Sequence, residues 1–131
     1  MMKKIFMLFS FLLSGCYLAN GSPSSYVFWE SPKNITEEES KKIWDDCYDG
    51  ALYRLSDIQK KLFDKGSKSW EEVCENQSEC KIFEEAIDLH QKNLFQCLYD
   101  SGLRFRPPLK WCLAQDGNNT RICIENMKYR N

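Results

Sequence analysis

Seven cysteines and one histidine are the residues of this 131-residue chain best suited to chemistry. Thiols at these positions could form disulfides, bind a metal or act as nucleophiles. Beyond Cys16 the cysteines are separated by 26, 5, 16, 14 and 10 residues, and no Cys-x-x-Cys pair occurs. That spacing does not fit structural zinc motifs, so no metal site is expected. A cysteine-rich, histidine-poor composition fits an oxidising compartment and a disulfide framework. His90 could serve as a general acid or base. Its spacing, however, puts it on the apolar face of a helical pattern, with Asp88 and Glu84 largely on other faces and no nucleophile at a recognisable distance in sequence. The carboxylate runs Glu37-Glu38-Glu39, Glu71-Glu72 and Glu84-Glu85 fall at helix starts or on polar faces, where solvation and the helix N-terminus account for them without calcium. No glycine-rich phosphate loop or Gly-x-Ser-x-Gly occurs. The expectation is a protein that is not an enzyme and holds no cofactor.

The elements that must position these residues begin with Met1-Met2-Lys3-Lys4 and the apolar run Ile5 to Leu13, interrupted by Ser10, a secretory signal pattern. About ten residues is half of the roughly twenty that a spanning helix needs. The run ends in Leu13-Ser14-Gly15-Cys16, which resembles the lipobox of bacterial lipoproteins. The resemblance covers residues 1–16 and implies that Cys16 is the first mature residue, acylated as the lipid (palmitate-type) attachment site. With Tyr17 in place of an aspartate after the cysteine, it also implies the cell outer membrane, with the lipid-anchored domain facing the periplasm or exposed at the surface. Two or three acyl chains make such an anchor effectively permanent.

Residues 16–35 are rich in Ser, Pro, Asn and Gly and suit a flexible lipidated tether. Within it, Tyr26-Val27-Phe28-Trp29 is too bulky for a plain spacer. It could pack onto the domain, lie at lipid headgroups or form a partner-docking strand. Residues 36–131 are expected to form one helical, disulfide-rich domain. Thr36 to Glu39 reads as a capping box that starts a helix over 37–64, with Trp44, Cys47, Tyr48, Ala51, Leu52, Leu55, Ile58, Leu62 and Phe63 on one face and Gly66 as its stop. Gly50 inside that pattern suggests close approach of another helix. Ser69 to Glu72 opens a short helix. A third helical pattern, over 79–101, puts Cys80, Phe83, Ala86, Ile87, His90, Leu94, Cys97 and Leu98 on one face and closes at Gly102. Pro107-Pro108 ends that run, and residues 109–131 read as a short helical pair, with a β-hairpin as the alternative. The fold class is all-α: a small disulfide-stapled helical hairpin or bundle with short extra helices on an N-terminal tether.

Setting Cys16 aside leaves six cysteines and fifteen pairings. In an antiparallel pair of helices over 37–64 and 79–101, residues at equal height have numbers summing to about 143, and Cys47 with Cys97 satisfies this. Cys74 and Cys80 are near in sequence, and Cys112 and Cys123 lie symmetrically about the Gly117-Asn118 turn. The three expected bridges are therefore Cys47–Cys97, Cys74–Cys80 and Cys112–Cys123, reinforcing a modest core.

Eighteen basic and nineteen acidic side chains give a net charge of −1, which excludes the strong positive field of a nucleic-acid-binding domain. The charge is uneven: residues 37–85 are acid-rich, while the last quarter is basic. Arg104, Phe105, Arg106, Lys110 and Trp111 could form a binding surface for an acidic protein, lipopolysaccharide phosphate or peptidoglycan. Trp44 to Leu52 faintly echoes Phe95 to Leu103. The second string, running into Arg104-Phe105-Arg106-Pro107, resembles one found in small uncharacterised periplasmic lipoproteins, and that likeness implies no activity. The saposin pattern of two cysteines two residues apart is absent, as are clustered cysteines around Asp88-Leu89-His90 that would suggest a phospholipase. The expected function is a non-catalytic binding or accessory protein of the bacterial envelope. Its partner would be the lipid bilayer through Cys16 together with an unidentified envelope protein, in a secretion or conjugation assembly or as an outer-membrane receptor masked against phage or plasmid uptake. The alternative is a secreted cysteine-rich effector or inhibitor without an anchor, for which Asn34, Asn76 and Asn118 would be glycan acceptors.

Overall fold

The structure, a computed structural model, describes residues 21–131; the expected signal peptide of residues 1–15, Cys16 and the start of the expected tether lie outside that range. Helix formation begins where expected. Thr36 Oγ1 accepts from the Glu39 amide while the Glu39 carboxylate accepts from the Thr36 amide, and this capping box starts α1, Glu37–Tyr53. The helix is shorter than expected. Ser56 and Gln59 form a second capping box that starts a separate helix, α2, Asp57–Lys68, after a break at 54–56. Ser69 caps α3, Trp70–Cys74, and Asn76 caps α4, Gln77–Asp100. At the end of α4, Gly102 has φ +98°, its amide bonds to the Tyr99 carbonyl, and the Leu103 amide bonds to the Leu98 carbonyl. This is a Schellman stop, closed by the contact positions Leu98 and Leu103, both fully buried. The echo string at Asp49-Gly50-Ala51 instead continues α1 as helix.

The chain divides into two units. The larger, Ser31–Leu103, contains α1 to α4. Its core is built from Cys47, Ala51, Leu55, Leu62, Val73, Phe83, Ala86, Leu94, Phe95, Leu98 and Leu103, with buried His90 among them. Ile58 and Ile87, assigned to the apolar stripes, are exposed, whereas Phe95, left off the stripe, is fully buried. The helices meet on more than one face of α4, so a single stripe does not describe it.

The glycine roles are the reverse of those expected. Gly50 is exposed, with open space where a Cβ would stand. Gly66 does not stop α2 but sits buried inside it, where an added Cβ would come within 2.3 Å of the Phe83 ring. Gly50→Ala is accordingly expected to stabilise the protein by up to about 1 kcal/mol. The same change at Gly66 should destabilise it by about 1–3 kcal/mol through overpacking. Urea unfolding of the two variants side by side checks both signs.

The smaller unit joins the N-terminal segment ending at Glu30 to Arg104–Asn131. A 3-10 turn, Ser25–Phe28, is capped by Ser24 and leads into β1, Trp29–Glu30, which pairs antiparallel with β2, Arg104–Phe105, in the register Trp29 to Phe105 and Glu30 to Arg104. Residues 22–30 are thus part of a folded unit and not tether, and the domain boundary expected at 36 does not hold. The aromatic string drives this: Trp29 packs on Phe105 and Tyr129 at ring distances of 5.5 and 5.8 Å, and all three are buried. Beyond β2, α5 (Leu109–Cys112) and α6 (Asn119–Asn126) form the helical pair, with Pro108 at the cap of α5. A final 3-10 turn covers Met127–Tyr129. Six helices and one two-stranded sheet make the described chain all-α in class.

Candidate functional site

The six cysteines of the described residues form three bridges, Cys47–Cys97, Cys74–Cys80 and Cys112–Cys123, the pairs selected by helix height and sequence spacing. The first crosses from α1 to α4 with a Cα separation of 5.6 Å. The break at 54–56 leaves this bridge in place because Cys47 lies before it, within α1. No thiol among these six is available as a nucleophile or metal ligand. Among the described residues no group of three His, Cys, Asp or Glu side chains is placed to hold a metal ion.

His90 lies on α4 and is 2% exposed. Its Nε2 is 3.2 Å from the Tyr48 carbonyl, and its ring packs against Tyr48 at 4.6 Å and Phe63 at 4.9 Å. Tyr48 and Phe63 also line a shallow hollow between α1 and α2 with Leu52, Tyr53 and Lys60, and His90 does not line it. Burial holds the His90 pKa below its usual value, partly offset by the Tyr48 carbonyl. The unfolded chain therefore takes up the proton at higher pH than the folded one. The stability linked to this group is fully present above the ordinary histidine pKa of about 6.5 and is lost as pH falls through it, levelling off below the folded value. His90 is the chain's only histidine. The unfolding free energy should therefore decline as pH falls below about 6.5 in wild type and stay flat over the same range in His90→Gln, as read by urea titration.

The surface expected from Arg104, Phe105, Arg106, Lys110 and Trp111 does not form as one exposed patch. Phe105 and Trp111 are core residues, 2% and 1% exposed. The Trp111 Nε1 donates to the Pro23 carbonyl at 2.7 Å, its ring packs on Phe28 at 5.2 Å, and Phe105 stands edge-on at 6.5 Å. Arg106 donates to the Glu30 carboxylate at 3.0 Å and to the Arg130 carbonyl at 3.2 Å, tying three segments of the smaller unit together. Arg104 sits in the sheet opposite Glu30. Of the five, Lys110 and Arg106 remain exposed. Their aromatic neighbours are covered by the N-terminal segment that the composition presented as spacer.

What the smaller unit does expose is a groove of about 360 Å³ over the Cys112–Cys123 bridge. Leu109, Leu113, Ile124 and Met127 line it, each between 62% and 72% exposed, with Arg130 at its edge. Leu109 and Leu113 are four apart and Ile124 and Met127 three apart, a helical pattern that helices of four and eight residues are too short to advertise. At the other end of the hairpin, Asp116 accepts from both the amide and the hydroxyl of Ser22, at 2.5 and 2.7 Å. These bonds hold the Asp116 carboxyl below its usual pKa.

No protein-family model, curated protein or solved structure matches this chain. The charge asymmetry seen in the sequence follows the two units: the described part of the smaller one carries six basic and three acidic side chains, and the larger ten basic and sixteen acidic. No helix of the described residues is long and apolar enough to cross a membrane.

Proposed function

We propose that this chain is a lipid-anchored, non-catalytic binding or accessory protein of the bacterial cell envelope, held at the outer membrane through Cys16. The observation that carries the reading is the division of the seven cysteines. Six are paired within the described residues, and the seventh ends the string Leu13-Ser14-Gly15-Cys16, which resembles a lipobox. An odd cysteine in an otherwise oxidised protein calls for a use of its own, and attachment of a diacylglyceryl group through a thioether is one. The setting of His90, between two aromatic rings and a backbone carbonyl, supports binding over catalysis. The protein partner is an envelope component of a secretion or conjugation assembly, or a receptor masked against phage or plasmid uptake.

Metabolic labelling with a tagged fatty acid tests the anchor. Wild type should carry the label and fractionate with outer membranes, while Cys16→Ser should carry none and appear in the soluble fraction. Label retained in Cys16→Ser, or absent from wild type, would overturn the proposal. Crosslinking in intact envelopes then identifies the protein partner.

A further inference from the structure

We infer that the groove of the α5–α6 hairpin is a second, reversible membrane contact that docks on an anionic lipid surface. The inference rests on the lipid-anchor reading above. Four large apolar side chains stand exposed together on one hairpin, well beyond the isolated exposures of an ordinary surface. Basic residues accompany them: Lys110 follows Leu109, Arg130 edges the groove, and Arg121, Ile124 and Lys128 follow each other at steps of three and four. The acids of this hairpin are Asp116, engaged by Ser22, and Glu125, paired with Arg121 at 3.2 Å. Apolar side chains flanked by Lys and Arg are what an interfacial element presents to a bilayer with negatively charged headgroups, the former reaching the acyl boundary and the latter the phosphates.

The length of the tether selects the bilayer as the occupant. Cys16 precedes Gly21, the first described residue, by five positions, so an acylated Cys16 lies no further from it than about 18 Å. The next residue, Ser22, is bonded to Asp116 in the connection between α5 and α6. An anchored chain thus keeps this hairpin near the headgroups at high effective concentration, where even a weak contact is populated.

The test removes the anchor and keeps the rest of the mature chain. Residues 16–131 carrying Cys16→Ser are sedimented with vesicles of phosphatidylcholine alone or with about 30 mol % phosphatidylglycerol. Binding should be at least about tenfold stronger to the anionic vesicles and fall sharply at about 0.5 M salt. Leu113→Asp with Ile124→Asp should weaken it by about tenfold or more, while Tyr53→Asp, an exposed position of the larger unit, should leave it unchanged. Circular dichroism and intact mass establish that each variant is folded with three bridges. Absence of binding to anionic vesicles, or binding indifferent to the paired aspartates, would overturn the inference. So would a concentration-dependent dimer that these aspartates dissolve without any vesicle binding, which would make a second copy the occupant. Because no acyl chain takes part, the outcome is separate from that of the anchor: an acylated Cys16 with no vesicle binding removes the groove contact alone, and an unacylated Cys16 removes the anchor whatever the vesicles show.

Discussion

Replacing Cys47 and Cys97 together by alanine is expected to destabilise the larger unit by about 4 kcal/mol, because the bridge closes a loop of 50 residues whose freedom returns to the unfolded chain. Domains of this size hold only about 5–15 kcal/mol in total, so the midpoint of thermal unfolding should fall on the order of 20 °C. The paired replacement matters, since a single one would leave a thiol to scramble with the other bridges. Cys47 is 2% exposed, so the loss of its sulfur from the α1–α4 packing adds to the entropic effect. By contrast, the Cys74–Cys80 loop of six residues should yield about 2 kcal/mol by the same reasoning, a ranking that differential scanning calorimetry of the two double variants can read directly. Equal losses would mean that the bridges act through native packing and not through loop closure.

Trp111→Ala is expected to cost the smaller unit about 3–5 kcal/mol. Its indole fills space beside Phe28 and Phe105, and truncation also leaves the Pro23 carbonyl without its donor. Because those contacts secure the segment that contains the 3-10 turn and β1, the change should free residues 22–30 to protease well below the global unfolding temperature. Trp111→Phe keeps most of the packing and loses the hydrogen bond, so a loss of about 1 kcal/mol is expected there. Limited proteolysis with mapping of the first cuts, alongside near-ultraviolet circular dichroism, distinguishes the two. An unchanged cleavage pattern in Trp111→Ala would show that the segment is held by something else.

Local signals in this sequence were readable because each is complete within a few residues. Thr36 with Glu39, Ser69 with Glu72, and Gly102 each specify a helix end through bonds made on the spot. The bridges were also legible, since helical rise converts residue number into height and Cys47 and Cys97 stand level. The break at Ser56 is hidden although its capping box is equally local, because Leu52, Leu55, Ile58 and Leu62 keep the helical spacing across it. Long-range features left no such trace. Trp29 and Phe105 are 76 positions apart, and two-residue strands carry no alternation to read. Without β1, Phe105 and Trp111 had no cover and read as exposed partners of the basic tail, whereas the apolar surface actually presented is that of Leu109, Leu113, Ile124 and Met127. Gly66 and Gly50 make the same point, since only the tertiary neighbour Phe83 tells which glycine is required.

Intact mass spectrometry of the mature protein, purified without reduction, reads the anchor and the three bridges in one measurement. A lipid-anchored, disulfide-stapled domain predicts a chain that begins at Cys16 and carries a diacylglyceryl group with an added acyl chain. It also predicts a mass six hydrogens below that of the reduced chain and no thiol reactive to alkylation, in keeping with the three bridges. A chain that begins beyond Cys16, or one that begins there without acyl groups, would contradict it and favour the secreted cysteine-rich alternative.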